Sequence, residues 1–173
     1  GNYNIWAQSS GPIGKHLETE FSEVASHCYL NLGYYKEIIQ YKDKKHSFAI
    51  TDAQKNFFDY FRFTFIQGNP KNCLTPSSIV LSDVAAKQLF GTKNPINKTV
   101  LYSGRNLVVK GVYEINSKSS IAPAAVTNLI DDKLIPEGNP WGNFNFALLI
   151  KMKENASVEN VVKKIEKLHY ENN

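Results

Sequence analysis

Four histidines, two cysteines and one pair of adjacent carboxylates are the side chains here whose types could carry chemistry. The histidines are His16, His27, His46 and His169, and the cysteines are Cys28 and Cys73. A structural zinc site needs Cys or His ligands at short, regular spacings, and no two of these fall there. The adjacent carboxylates are Asp131 and Asp132. General acid–base work needs one carboxylate with a raised pKa in a cleft, whereas a D-D-K triplet in a polar stretch reads as a solvated loop. There is no G-x-S-x-G elbow to present a serine and no G-x-x-x-x-G-K-[ST] loop to cradle a nucleotide phosphate. Gly11 and Gly14 flank a helix start, which turn geometry explains. The residues therefore give no catalytic group, no cofactor and no metal. Cys28 sits in an apolar run and Cys73 in a polar loop. Whether the two pair is left open, and two thiols do not fix the compartment.

The elements around these residues belong to an ordinary folded chain. Length, at 173 residues, suits one domain or a domain with an insert. A net charge of +4, from 20 basic and 16 acidic side chains, is too small to argue for nucleic acid. The lysines are scattered except at Lys42–His46, K-D-K-K-H, which reads as a solvated turn. No apolar run approaches the ~18 residues of a membrane helix. The longest, Phe144 to Ile150, has the length of a strand. There is no signal peptide, and the chain opens on Gly1 without an initiator methionine, so the expectation is a piece excised from a longer protein.

Periodicity supplies the elements. Asn4 to Ser9 predicts a short strand. Gly11-Pro12 opens a helix carrying Ile13, Leu17, Phe21 and Val24 on one face. Ala25 to Leu32, Tyr34 to Tyr41 and His46 to Thr51 read as strands, the first stopped at Gly33 and the last two joined by the basic turn. Ile79 to Leu81 is a buried strand. Ser82 caps a helix whose stripe is Ala85, Ala86, Leu89 and Phe90, and Gly91 stands where a left-handed stop would fall. Asn94-Pro95 makes a turn, and Thr99–Tyr102 with Leu107–Tyr113 forms a hairpin. Residues 114–142 show the least pattern. Asn143 to Met152 is a strand, and Ser157 caps a last helix with Val158, Val161, Val162, Ile165 and Leu168 on one face.

Six aromatics crowd between Asn56 and Pro70: Phe57, Phe58, Tyr60, Phe61, Phe63 and Phe65. They could anchor a partner, but their mixed helical and alternating spacing favours a core that packs a helical turn onto a sheet, with one or two rim residues left over.

The middle third carries a resemblance. Thr51-Asp52, Phe57-Phe58, Phe61, Phe63, Gly68 and Pro70, then Ile79-Val80-Leu81-Ser82, Ala86, Leu89-Phe90-Gly91, Pro95 and Lys98-Thr99, then Val109-Lys110-Gly111-Val112-Tyr113, follow one pattern. It resembles the MacB-type periplasmic core domain of permeases of the MacB/FtsX class of ABC transporters, in the form met in Bacteroidetes-type bacteria. The signature positions are Phe57, Phe58, Phe61, Gly68, Leu89, Phe90, Gly91, Pro95 and Gly111. One departure is Asn97, where that pattern often has glycine; asparagine tolerates a positive φ next best, so the turn is expected to survive.

The resemblance implies an α+β fold: a porter-like layer built from both chain ends (1–65 and 122–173) and an inserted, mostly β sabre-like subdomain (66–121). It implies a non-catalytic ectodomain on the periplasmic face of the bacterial inner membrane. Its partners would be the membrane helices of its own chain, a separate ABC ATPase, a second permease copy and a periplasmic adaptor. Isolated, the domain is expected to be a monomer. The alternative is a free-standing periplasmic binding or adaptor module of the same fold. Contact with a partner is expected at the loop 114–142 and at the turn bearing Lys93, Asn94 and Asn97.

Overall fold

The structure is a computed structural model, and it describes residues 8–33, 35–61, 63–115, 121–130, 141–142 and 144–172. The chain divides into two compact units, one made of residues 1–31 and 131–173, the other of residues 32–130. The expected boundaries at 65/66 and 121/122 both fall inside the second unit. Among the described residues no helix is long and apolar enough to cross a membrane.

The first unit joins both ends of the chain. Strand β1 (Ser9–Ser10) runs antiparallel to β10 (Phe144–Met152), and β10 runs antiparallel to β2 (Val24–Asn31). Of the strand predicted at Asn4–Ser9, residues 4–7 lie outside the described residues. Helix α1 spans Ile13–Thr19 only, closing on Glu20. Phe21 and Val24 keep the helical spacing but lie in the turn and at the start of β2. They still join Ile13, Leu17 and Val161 in one core, with Leu148, Ile150, Ile165 and Leu168 packed beside them. Helix α3 (Val158–Asn172) starts as its sequence predicts: the Ser157 hydroxyl accepts the N–H of Asn160 at 3.3 Å, which satisfies one free donor of the first turn. Lys164 reaches Glu23 at 2.6 Å and ties this helix to the turn before β2.

The second unit is a twisted mixed sheet with one helix on it. β3 (Lys36–Tyr41) and β4 (Lys44–Ala53) form a hairpin whose turn is only Lys42-Asp43, with Lys42 at φ 52°. β3 also pairs β7 (Thr99–Tyr102), which forms a tight hairpin with β8 (Arg105–Tyr113). β8 takes β6 (Ser78–Ser82) parallel on one side, and β5 (Phe65–Gly68) extends β7's side. Helix α2 (Asp83–Phe90) returns over the sheet, burying Ala85, Ala86, Leu89 and Phe90 against Ile39, Ile50, Ile79, Leu81, Val100 and Val109.

The segment with the least sequence pattern supplies a central strand. β9 (Ala125–Thr127) lies parallel to β4 and antiparallel to β6, wholly buried. Residues 116–120 and 131–140, including Asp131 and Asp132, lie outside the described residues.

Candidate functional site

The turn that follows α2 can be built from its residues upward. The Ser82 hydroxyl accepts the N–H of Ala85 at 3.1 Å and starts the helix. Gly91 ends it with φ 65° and ψ −122°. The positive φ is what the sequence asks of a glycine, but the ψ is not that of a left-handed helical residue. The N–H of Lys93 bonds the Phe90 carbonyl at 3.2 Å, so the chain turns back at once. The Asn94 side chain then accepts the N–H of Ile96 at 3.1 Å, a local turn that asparagine forms readily. Pro95 is buried, and its carbonyl takes the N–H of Lys98 at 3.0 Å. Asn97 stands at φ 62°, a left-handed value that asparagine tolerates better than other side chains. Its N–H bonds the Val109 carbonyl at 2.9 Å, and its side-chain oxygen accepts the Lys110 ammonium at 2.9 Å. Lys93, Asn94 and Asn97 are thus exposed side chains on a turn with a fixed backbone. Beside it lies an open depression of about 160 Å³ lined by Ile66, Gln67, Asp83, Lys87, Lys93 and Pro95 among others.

The aromatic positions sit elsewhere. Phe57 opens a 3-10 turn, Phe57–Asp59, and is fully buried; Phe58 is 8% exposed. Phe61 and Phe63 are half-buried, with ring centroids 4.9 Å and 6.0 Å from Phe57. Phe63 also lies 4.8 Å from the Tyr113 ring, so this group fills the space around the end of β8. The Tyr113 hydroxyl donates to the Pro123 carbonyl, and burial pushes its pKa far up. Gly68 and Gly111 face each other across β5 and β8; a Cβ at Gly68 would meet the backbone of Lys110 and Gly111, and one at Gly111 would meet the side chains of Phe65 and Val80.

The polar groups in the interior serve the backbone. Asp52 accepts the N–H of Leu129 at 2.6 Å and the Thr127 hydroxyl at 3.2 Å. The Tyr29 hydroxyl bonds Gly14 and Ser10. Cys28 and Cys73 are both buried, and neither forms a disulfide among the described residues. Burial pushes the Cys73 thiol up to about 11, so it stays protonated at neutral pH and is a poor nucleophile. Desolvation holds His27 below its ordinary range, with Glu18, 3.6 Å away, acting in the opposite direction.

Two participants stand in the sequence pattern, but the sequence gives no reading of what they contact. Lys110 supports Asn97, and the tight β7–β8 hairpin, with its register fixed by a two-residue turn, could have shown that pairing. Asp52 holds the 125–130 segment, a contact between residues over 70 apart in the chain that no local signal carries.

Residues 10–168 match the family model described as the MacB-like periplasmic core domain. The chain belongs to the MacB-like periplasmic core domain family. Solved structures share its fold. A domain of a protein named as a permease from Porphyromonas gingivalis aligns with a TM-score of 0.79 at 20% identity, covering 97% of this chain and 79% of that one. The periplasmic region of MacB from Actinobacillus actinomycetemcomitans gives 0.69 at 17% identity, covering 94% and 75%. The extracellular domain of the noncanonic ABC-type transporter YknZ from Gram-positive bacteria gives 0.70 at 14% identity, covering 97% and 86%. No protein of curated function matches the chain. As a MacB-like periplasmic core domain, the chain has the α+β fold and the periplasmic location of that family, whose members are parts of ABC transporter permeases.

Proposed function

We propose that this domain is the non-catalytic periplasmic part of an ABC transporter permease. It would carry motion driven by a separate cytoplasmic ATPase to a substrate or protein partner outside the membrane. The observation that supports this most is the construction of the first unit from both chain ends. β1 and α1 pack with β10 and α3, so segments continuing from either end would leave from one rigid unit. A domain hung between two membrane helices needs that arrangement. The first unit then corresponds to the porter-like layer and residues 32–130 to the sabre-like insert. The interior polar groups support the non-catalytic reading, because Ser82, Asp52, Tyr29 and Tyr113 spend their hydrogen bonds on the backbone. A second permease copy and a periplasmic adaptor complete the assembly, and the isolated domain is a monomer in dilute solution.

The gene itself tests this. Reading outward from residues 1 and 173 should show apolar runs of about 20 residues on both sides. A stop codon shortly after residue 173, with only a signal peptide upstream, would overturn the permease reading and favour a free-standing module. Light scattering that shows a stable dimer of the isolated domain at micromolar concentration would overturn the monomer assignment.

A further inference from the structure

Helix α3 is held to its unit by little. α2 buries four of its eight residues, Ala85, Ala86, Leu89 and Phe90. α3 has 15 residues and buries one, Val161. Ile165 and Leu168 are half-buried, and Val158 and Val162, on the flank of the same apolar stripe, stand 62% and 46% exposed. A helix in a folded protein takes most of its stability from the face it packs, so α3 docks with a small share of what its length could supply. The strand before it is fixed differently. β10 pairs β2 from Ala147 to Met152, and β1 at Phe144 and Phe146.

Glu23 serves both elements. Its carbonyl accepts the N–H of Lys153 at 2.8 Å and pins the chain at the end of β10. Its carboxylate accepts the Lys164 ammonium at 2.6 Å, and that ammonium also lies 5.5 Å from the centre of the Phe21 ring. Between these two attachments the chain turns at Asn155, φ 63°, and the Ala156 N–H bonds the Lys153 carbonyl at 3.2 Å. Near the far end of α3 the His169 ring lies 5.2 Å from that of Phe144 and 5.7 Å from that of Trp141. The helix therefore has a turn to pivot on, one ion pair near its middle and a single line of side chains beneath it.

We propose that α3 is a detachable arm. It swings out as a unit on the turn 153–157 when the Glu23–Lys164 bond opens, while α1, β1, β2 and β10 stay folded. The docked arm belongs to the rigid unit described above, and the released arm is a minor state of the same chain. The use of the device rests on the permease reading. A pull on residue 173 from a segment continuing there would lift α3 before it parted the strands, because side chains along one line hold the helix and backbone hydrogen bonds on both sides hold β10. The Glu23–Lys164 bond would then set the load at which motion enters the domain.

Native-state hydrogen exchange on the 173-residue chain tests the detachment. Amides 162–172 should exchange together, at least about 100-fold faster than the β10 amides bonded to β2, and with a weaker dependence on urea. Lys164→Gln and Glu23→Gln should each speed exchange in α3 about three- to ten-fold and leave β2 and β10 unchanged. The double variant should match either single one, since all three lose the same bond. Val161→Ala should speed it about ten-fold or more. Lys167→Gln, which removes the exposed pair with Glu171 inside the helix, should change it less than about two-fold. Exchange of α3 and β10 in one step, with one urea dependence, would overturn the proposal without any variant. So would equal effects of Lys164→Gln and Lys167→Gln. Either failure leaves the permease reading standing, because that is tested on the gene, and a failed gene test leaves the detachment standing without its use.

Discussion

The Tyr29 hydroxyl takes the backbone N–H of Gly14 at 2.8 Å and donates to the Ser10 carbonyl at 2.8 Å. One side chain on β2 thus fixes the start of α1, where turn geometry leaves N–H groups without helical partners. Gly14 has to be glycine for reasons of space: a Cβ there would stand 2.6 Å from the Tyr29 ring and 2.8 Å from His27 Nε2, both in the interior. Gly14→Ala should therefore cost about 1–3 kcal/mol by forcing these rings aside. Tyr29→Phe should cost about 1–3 kcal/mol by leaving a buried N–H and a carbonyl unmet. Urea denaturation measures both, and an unchanged midpoint for Gly14→Ala would show that the site has room.

Asn97 separates backbone strain from side-chain contact. At φ 62° a residue without a local polar side chain is strained, so Asn97→Ala should lose about 1 kcal/mol. Asn97→Gly relieves the strain but gives up the exposed Lys110 bond, and should stay within about 0.5 kcal/mol of the parent. If alanine and glycine behave alike, the contact with Lys110 matters more than the backbone.

Asp52 carries the anchoring of β9. Asp52→Ala leaves the Leu129 N–H and the Thr127 hydroxyl without their acceptor and should cost about 2–3 kcal/mol. Asp52→Asn keeps an acceptor oxygen and should cost less. Hydrogen exchange distinguishes a local role from a global one. The Leu129 amide should lose protection in Asp52→Ala well before amides of β7 and β8, and uniform loss across the sheet would contradict local anchoring.

These sites also show what the sequence could reveal. The stretch 82–91 was legible because cap, stripe and stop lie within ten residues and obey local rules. β9 was not, since Ala125-Val126-Thr127 is a strand only through its pairing with β4 and β6 and through Asp52. The end of α1 was misleading for a related reason: Phe21 and Val24 keep helical spacing because they enter the same core from a turn and a strand. Local chemistry was readable, and long-range pairing was not.

Stability should fall on mild acidification, through the histidines. Burial holds His27 and His169 below the ordinary value of 6.5, and Glu18 opposes this at His27. Well above pH 6.5 both imidazoles are neutral folded or unfolded, so they add no pH dependence there. As pH drops through 6.5 the unfolded chain takes up protons that the folded chain resists, and stability declines until the folded groups themselves titrate. The slope per imidazole is at most about 1.4 kcal/mol per pH unit. A second decline should begin below the ordinary value of 4.5, where Glu23 of the unfolded chain takes up a proton that its bond to Lys164 makes the folded chain resist. Melting temperatures between pH 7.5 and 5 should therefore drop in the parent, drop less in His27→Gln and drop more in Glu18→Gln, which removes the compensating charge. A parent and a His27→Gln curve that run parallel across that range would show that His27 titrates alike in both states.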